Sequence, residues 1–190
     1  MSLPGASLFF LLFLVRLAQV ARLGLSAVGL LLALQAGLAA LLLFVRRKAE
    51  KAASLPVQFA AWASAVLPML VQTPLVAHAL SWSELLPLPG LALNLWALTC
   101  LGTAFGISPA NRGLVLSGPY RWIRHPMYLG ELLSMGGTLA VSPALVNLTI
   151  FLVFAGSIIW RIRQEEKILG CNGYSFYTAR VRWRLLPFVW

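Results

Sequence analysis

Residues 24–45 carry no charged side chain and stop abruptly at Arg46-Arg47-Lys48. A run of this kind matches the roughly 20 residues that a helix needs to cross a bilayer. In hydrocarbon the backbone must satisfy its own polar groups, so spanning segments are helices or closed barrels. Pro56 opens a second run over about 57–80, and a third covers about 90–106. Two more, 127–142 and 145–162, are separated only by Ser142-Pro143, which predicts a tight helical hairpin. The chain is 60% hydrophobic and 11% charged, and with so many spans it has no room for a separate soluble domain. The expectation is an all-α polytopic membrane helical bundle of about five transmembrane helices, forming one membrane domain.

Residues 5–23 are apolar but contain Arg16 and Arg22. They lack the basic start and small-residue cleavage site of a signal peptide and are expected to be retained. They form either a short first span or a helix lying along the interface, with the arginines snorkelling. Pro68 and Pro74 predict a kink in the 57–80 span, and His78 near its end reads as an interfacial histidine.

Fifteen basic residues against five acidic ones, none of them aspartate, give a net charge of +10. Their placement argues against nucleic acid as the partner. Arg46, Arg47, Lys48 and Lys51 follow one apolar run, and Arg112, Arg121 and Arg124 follow another. Arg161, Arg163, Lys167, Arg180, Arg182 and Arg184 fill the tail. Clustering at alternate span ends places these segments on the cytoplasmic side, beside anionic lipid headgroups. The Ser81–Gly90 loop, with Trp82 and Glu84 and no basic residue, belongs on the outer side. Cys100 and Cys171 predict no mutual disulfide, and two distant histidines predict no metal site.

Against this background one stretch stands apart, Ser117-Gly-Pro-Tyr-Arg-Trp-Ile-Arg-His-Pro-Met-Tyr-Leu-Gly-Glu131. Ser117-Gly118-Pro119 is a turn signal. Pro126 suits the first turn of the next helix, which puts His125 at the membrane surface beside a helix N-terminus, where free N–H groups favour anionic ligand groups. The 127–142/145–162 hairpin returns the chain to the same face at Arg161, so the motif is expected to meet residues 161–166. Arg161 and Glu165 are four apart and share a helix face. Glu131, Glu165 and Glu166 are three of the five acids and crowd one rim, and Glu131 sits a turn inside a span. Carboxylates there do not help orientation, and a ligand carrying positive charge supplies a reason for them. Tyr174 and Tyr177 share a face of a following helix. The aromatic and basic tail after them suits either a segment lying on anionic lipid or a lid folded over the site.

The order Ser-Gly-Pro-Tyr-Arg-x-x-Arg-His-Pro-x-Tyr-x-Gly, two spans, Arg161-x-x-x-Glu165-Glu166, Tyr174-x-x-Tyr177 and Arg184-Leu-Leu-Pro187 resembles the isoprenylcysteine carboxyl methyltransferase family, whose relatives methylate phospholipid amines. The resemblance covers about residues 90–190, the expected methyltransferase core with its hairpin and tail. Residues 1–89 are then N-terminal transmembrane helices. It implies S-adenosylmethionine as methyl donor, in a cytoplasmic pocket closed by the C-terminal tail. By the same resemblance Gly118, Tyr120, His125, Pro126, Tyr128, Glu165, Glu166, Tyr174 and Tyr177 bind the cofactor. The glutamates suit its ammonium or a ribose hydroxyl, and His125 with the backbone N–H groups around Gly118 and Tyr120 suits polar or carboxylate groups. The tyrosines offer aromatic walls to a cation. Arg161 is expected to hold an anionic acceptor group in line, with Glu165 or Glu131 as the base where the acceptor is an amine or thiol. The acceptor is expected to be lipophilic and to enter from the bilayer. Two competing readings are an NADPH-dependent membrane sterol or steroid reductase, which shares an Arg-His-x-x-Tyr-x-Gly-Glu-like string, and a non-catalytic membrane subunit.

Overall fold

The computed structural model describes residues 3–71, 85–170 and 174–190. The expectations for Pro74, His78, Trp82, Glu84 and Cys171 lie outside the described residues. Seven helices run through the rest: α1 (Leu3–Leu23), α2 (Ala27–Val45), α3 (Leu55–Val66), α4 (Leu88–Leu101), α5 (Pro126–Val141), α6 (Leu145–Leu169) and α7 (Tyr174–Arg180). The fold is mostly helical, as the apolar runs require. By length and composition α1, α2 and α6 are each able to cross a membrane, while the apolar helical stretches 55–70 and 88–104 are shorter. α1 is thus long and apolar enough for the spanning alternative among the two left open for residues 5–23. Its Arg16 is half-buried and donates to Gln19 at 3.0 Å, which eases the cost of a charge within an apolar helix.

Local chemistry explains the boundaries. Ser26 caps α2, its Oγ accepting from Gly29 N at 3.0 Å. α3 gives way to a 3₁₀ turn, Leu67–Leu70, at Pro68, where the ring removes a helical N–H. α5 begins at Pro126 with His125 at its N-cap. The predicted hairpin is present, closed by Asn147 Nδ2 donating to Ser142 O at 2.9 Å. α6 runs seven residues past the end of its apolar stretch because Arg163-Gln164-Glu165-Glu166-Lys167 are good helix formers.

Packing gathers around α4, α5 and α6. On α6 the buried positions Phe154, Ile158 and Arg161 form one stripe, so the arginine is carried into the core by the same periodicity as the apolar residues. α4 and α5 approach closely at two glycines. A Cβ on Gly130 would stand 2.6 Å from Asn94 N, and one on Gly90 2.7 Å from Gly130 O. Small residues of this kind let helix backbones meet in a membrane. At the motif face, β1 (Lys51–Ala52) pairs antiparallel with β2 (Ala110–Asn111) and ties the loop after α2 to the loop before the motif. Asn111 Nδ2 donates to Glu50 Oε2 at 2.9 Å across this clasp. The sequence contained no signal for it.

Candidate functional site

The site lies where the N-terminal end of α5 meets the C-terminal half of α6. His125 is buried between the two carboxylates that the hairpin returns to it. Its Nδ1 is 3.7 Å from Glu165 Oε2 and its Nε2 is 3.6 Å from Glu166 Oε1. Tyr128, one turn along α5, stacks on His125 with ring centroids 5.9 Å apart and donates its hydroxyl to Glu165 Oε1. Behind Tyr128 the guanidinium of Arg161 lies 4.8 Å from the ring centroid. Arg161 is 3% exposed, donates to Ile107 O at 2.8 Å, and interacts electrostatically with Glu131 and Glu165. Glu131 Oε2 is buried there without a hydrogen-bond partner.

Glu166 is a hub. Arg124 approaches one oxygen at 3.1 Å, Arg184 the other at 2.8 Å, and the Tyr174 hydroxyl donates to it at 2.9 Å. Charge-assisted contacts of this type are the strong ones, and here they join the motif, α6, α7 and the tail.

The tail folds back rather than lying apart. Arg124 N donates to Trp183 O at 2.9 Å and His125 N to Arg184 O at 3.0 Å, with a parallel bridge between Ile123 and Trp183. α7 presents Tyr174 and Tyr177 inward, and Tyr177 donates to Tyr120 O at 2.9 Å. Burial raises all three of these tyrosines, Tyr177 to about 12, so each stays a neutral donor at physiological pH.

These elements enclose a cavity of about 100 Å³. Of the residues singled out in the sequence, Tyr120, His125, Tyr128, Glu165, Tyr174 and Tyr177 line it. Gly118, Pro126, Glu166 and Arg161 are not on its wall. Gly118, at φ +58°, turns its backbone against Cys100 and Trp96, Pro126 starts α5, and Glu166 is taken up by its cationic partners. Sequence reasoning missed Arg112, which lines the cavity and is 9% exposed. It also missed Arg124 and Arg184 as the partners of Glu166. Arg112 had been counted only as an orienting charge, while Arg124 and Arg184 also stood in the motif strings but with no partner assigned. For Arg124 the place beside His125 was an available signal, whereas nothing local marked Arg112.

The arrangement offers a carboxylate, a buried histidine and aromatic side chains around one cavity. Residues 90–175, which contain α4, the motif and the α5–α6 hairpin, match the family model described as phospholipid methyltransferase, a family related to the isoprenylcysteine carboxyl methyltransferases. No curated protein and no solved structure matches the chain.

Proposed function

We propose that the protein is an integral membrane methyltransferase that uses S-adenosylmethionine and methylates a lipophilic acceptor, of isoprenylcysteine-carboxylate-like chemistry, reaching the site from the bilayer. The observation that carries this reading is the convergence of His125, Tyr128 and Glu165 on one cavity, within a segment that matches a methyltransferase family. Residues 90–190 act as the catalytic core and residues 1–89 as supporting helices. The motif loop and the C-terminal segment face the cytoplasm, on the positive-inside distribution of charge.

The donor set suits the cofactor. Glu165 presents a carboxylate to an ammonium or a ribose hydroxyl, with Glu166 behind it holding His125 and the tail in place. Tyr120, Tyr128, Tyr174 and Tyr177 present π faces to a sulfonium or an adenine. When bound, S-adenosylmethionine supplies an electrophilic methyl group on sulfur. The chain's own task is to bring acceptor and donor into line and keep water away, which for a direct displacement supplies most of the barrier lowering. Arg161 holds the Tyr128 wall from behind. A carboxylate acceptor is already ionised at neutral pH and needs no base, whereas an amine or thiol gives its proton to Glu165.

A cavity of about 100 Å³ is smaller than the roughly 300–1,000 Å³ of ligand pockets. Accommodating a whole cofactor therefore requires the cavity to widen, and the lightest wall is α7, seven residues held by Tyr174 on Glu166 and Tyr177 on Tyr120. The test is calorimetric titration of detergent-purified protein with S-adenosylmethionine and, separately, NADPH. The expected result is binding of the first alone, lost at least ten-fold in His125→Ala and Glu165→Ala. Binding of NADPH alone would transfer the site to the reductase class, and silence from both in folded protein would remove the enzymatic reading.

A further inference from the structure

Burying a charge is costly unless an opposite charge or a full set of hydrogen bonds receives it. The cations around the cavity can be sorted by that rule. Arg124 and Arg184 are received by Glu166. Arg161 has the Ile107 carbonyl, the Tyr128 ring, and the fields of Glu131 and Glu165. Of these, Arg112 has only the field of Glu165. Its Nε is buried with no hydrogen-bond partner, and it takes part in none of the ion pairs among the described residues.

Its surroundings add to the imbalance. Burial and then the neighbouring Arg46 pull the Arg112 pKa down, with only Glu165 acting in the other direction. The space for the guanidinium is nevertheless kept open. Gly106, also on the cavity wall, has no side chain, and a Cβ there would stand 2.5 Å from Nη1 and 2.8 Å from Cζ of Arg112. A nine-tenths-buried, unpaired arginine on a cavity wall, in a place cleared for it, is a receptor for an anion that the chain itself does not supply.

We propose that Arg112 receives an anionic oxygen group of the bound ligand, and that this group is the carboxylate of the methyl donor's amino-acid head. The assignment to the donor rests on the methyltransferase reading of this cavity. The geometry favours it over an acceptor phosphate because Arg112 and Glu165 line the same cavity and feel each other's charge. An amino-acid head carries an ammonium and a carboxylate on one carbon, so it fits one cation and one carboxylate facing a shared space. A phosphate placed there would be repelled by Glu165. Arg112 can offer two parallel N–H groups to a carboxylate, the fork geometry that makes such pairs specific.

The experiment compares wild type, Arg112→Gln and Gly106→Ala by titration with S-adenosylmethionine, decarboxylated S-adenosylmethionine and dihexanoyl phosphatidic acid. The expected result is that Arg112→Gln weakens S-adenosylmethionine at least ten-fold. Wild type should lose the same factor when the ligand loses its carboxylate, and the variant should not distinguish the two ligands. Gly106→Ala, which displaces the guanidinium without removing it, should weaken only the carboxylate-bearing ligand. The ligand-free thermal midpoint of Arg112→Gln should equal or exceed that of wild type, because an unpaired buried cation has gone, whereas a merely structural arginine would lower it. Intact S-adenosylmethionine affinity with lost phosphatidate binding would give the anion site to the acceptor instead. Equal affinities of wild type and Arg112→Gln for all three ligands would overturn the proposal. If wild type binds no S-adenosylmethionine, the methyltransferase reading falls and the phosphatidate titration alone decides whether Arg112 is an anion receptor. Failure of that titration as well would overturn both.

Discussion

Two helical hairpins of this protein look alike as sequence and differ as structures. α1 and α2 are apolar helices joined by residues 24–26, and α5 and α6 are joined by residues 142–144. In the first pair the contacts are apolar, with Gly37 seated under the Phe13 ring and long faces of leucine left outward. In the second, Tyr128 and His125 reach across to Glu165 and Glu166. The difference matters because lipid tails are as apolar as leucine, so burial alone gives little reason for one helix to choose its height against another. A hydroxyl on a carboxylate, by contrast, fits in one place only. The first hairpin anchors, and the second is held in register.

The comparison breaks most visibly at Glu166. Replacing it with Ala leaves Arg124, His125 and Arg184 facing one another without their shared anion. A loss of about 3 kcal/mol is expected, the low end for breaking a buried pair because Arg184 is more than a third exposed. Thermal unfolding in detergent should record it, and trypsin should reach Arg180 and Arg182 at a rate well above wild type. Equal proteolysis would mean that the tail is held by its backbone pairing alone. A smaller effect is expected at the seam that positions α5. Gly130→Ala puts a methyl group 2.6 Å from Asn94 N, and overpacking of this order costs roughly 1–3 kcal/mol. The melting temperature should fall together with ligand affinity, and an unchanged value would show that α4 and α5 can part without consequence. The smallest effect belongs to the other hairpin. Leu11, 58% exposed on α1, should tolerate Ala within about 0.5 kcal/mol in the same unfolding assay. A larger loss would show that α1 makes a contact on that face and is more than an anchor.

The second hairpin was legible in the sequence, whereas for the first only the 24–45 span was, with residues 5–23 left between a span and an interfacial helix. The apolar runs and Ser142-Pro143 marked the elements, and α5 and α6 begin within a residue of where the pattern places them. The meeting of His125 with Glu165 and Glu166 followed from topology, since two short spans must return to the face they left. The inward turn of Tyr174 and Tyr177 was one of two open alternatives, and the structure takes the lid. What stayed hidden has no local signature. β1 and β2 are two residues each, joining segments some sixty residues apart, and no periodicity survives in so short a ladder. Arg112 read as one more orienting charge because burial is decided by the fold around a residue, and the glycine that clears its space is six positions away.

The pairing of the tail with the motif also sets an order of events. Arg124 Nε donates to Val181 O, a partner 57 residues later in the chain. At about 5–20 residues per second of synthesis, Arg124 is made about 3–11 s before that partner. α1 to α5 are complete while the site is still open on one side, whereas α6 and the tail are made almost together. The two walls of the site thus belong to different moments of synthesis, and the tail closes it last.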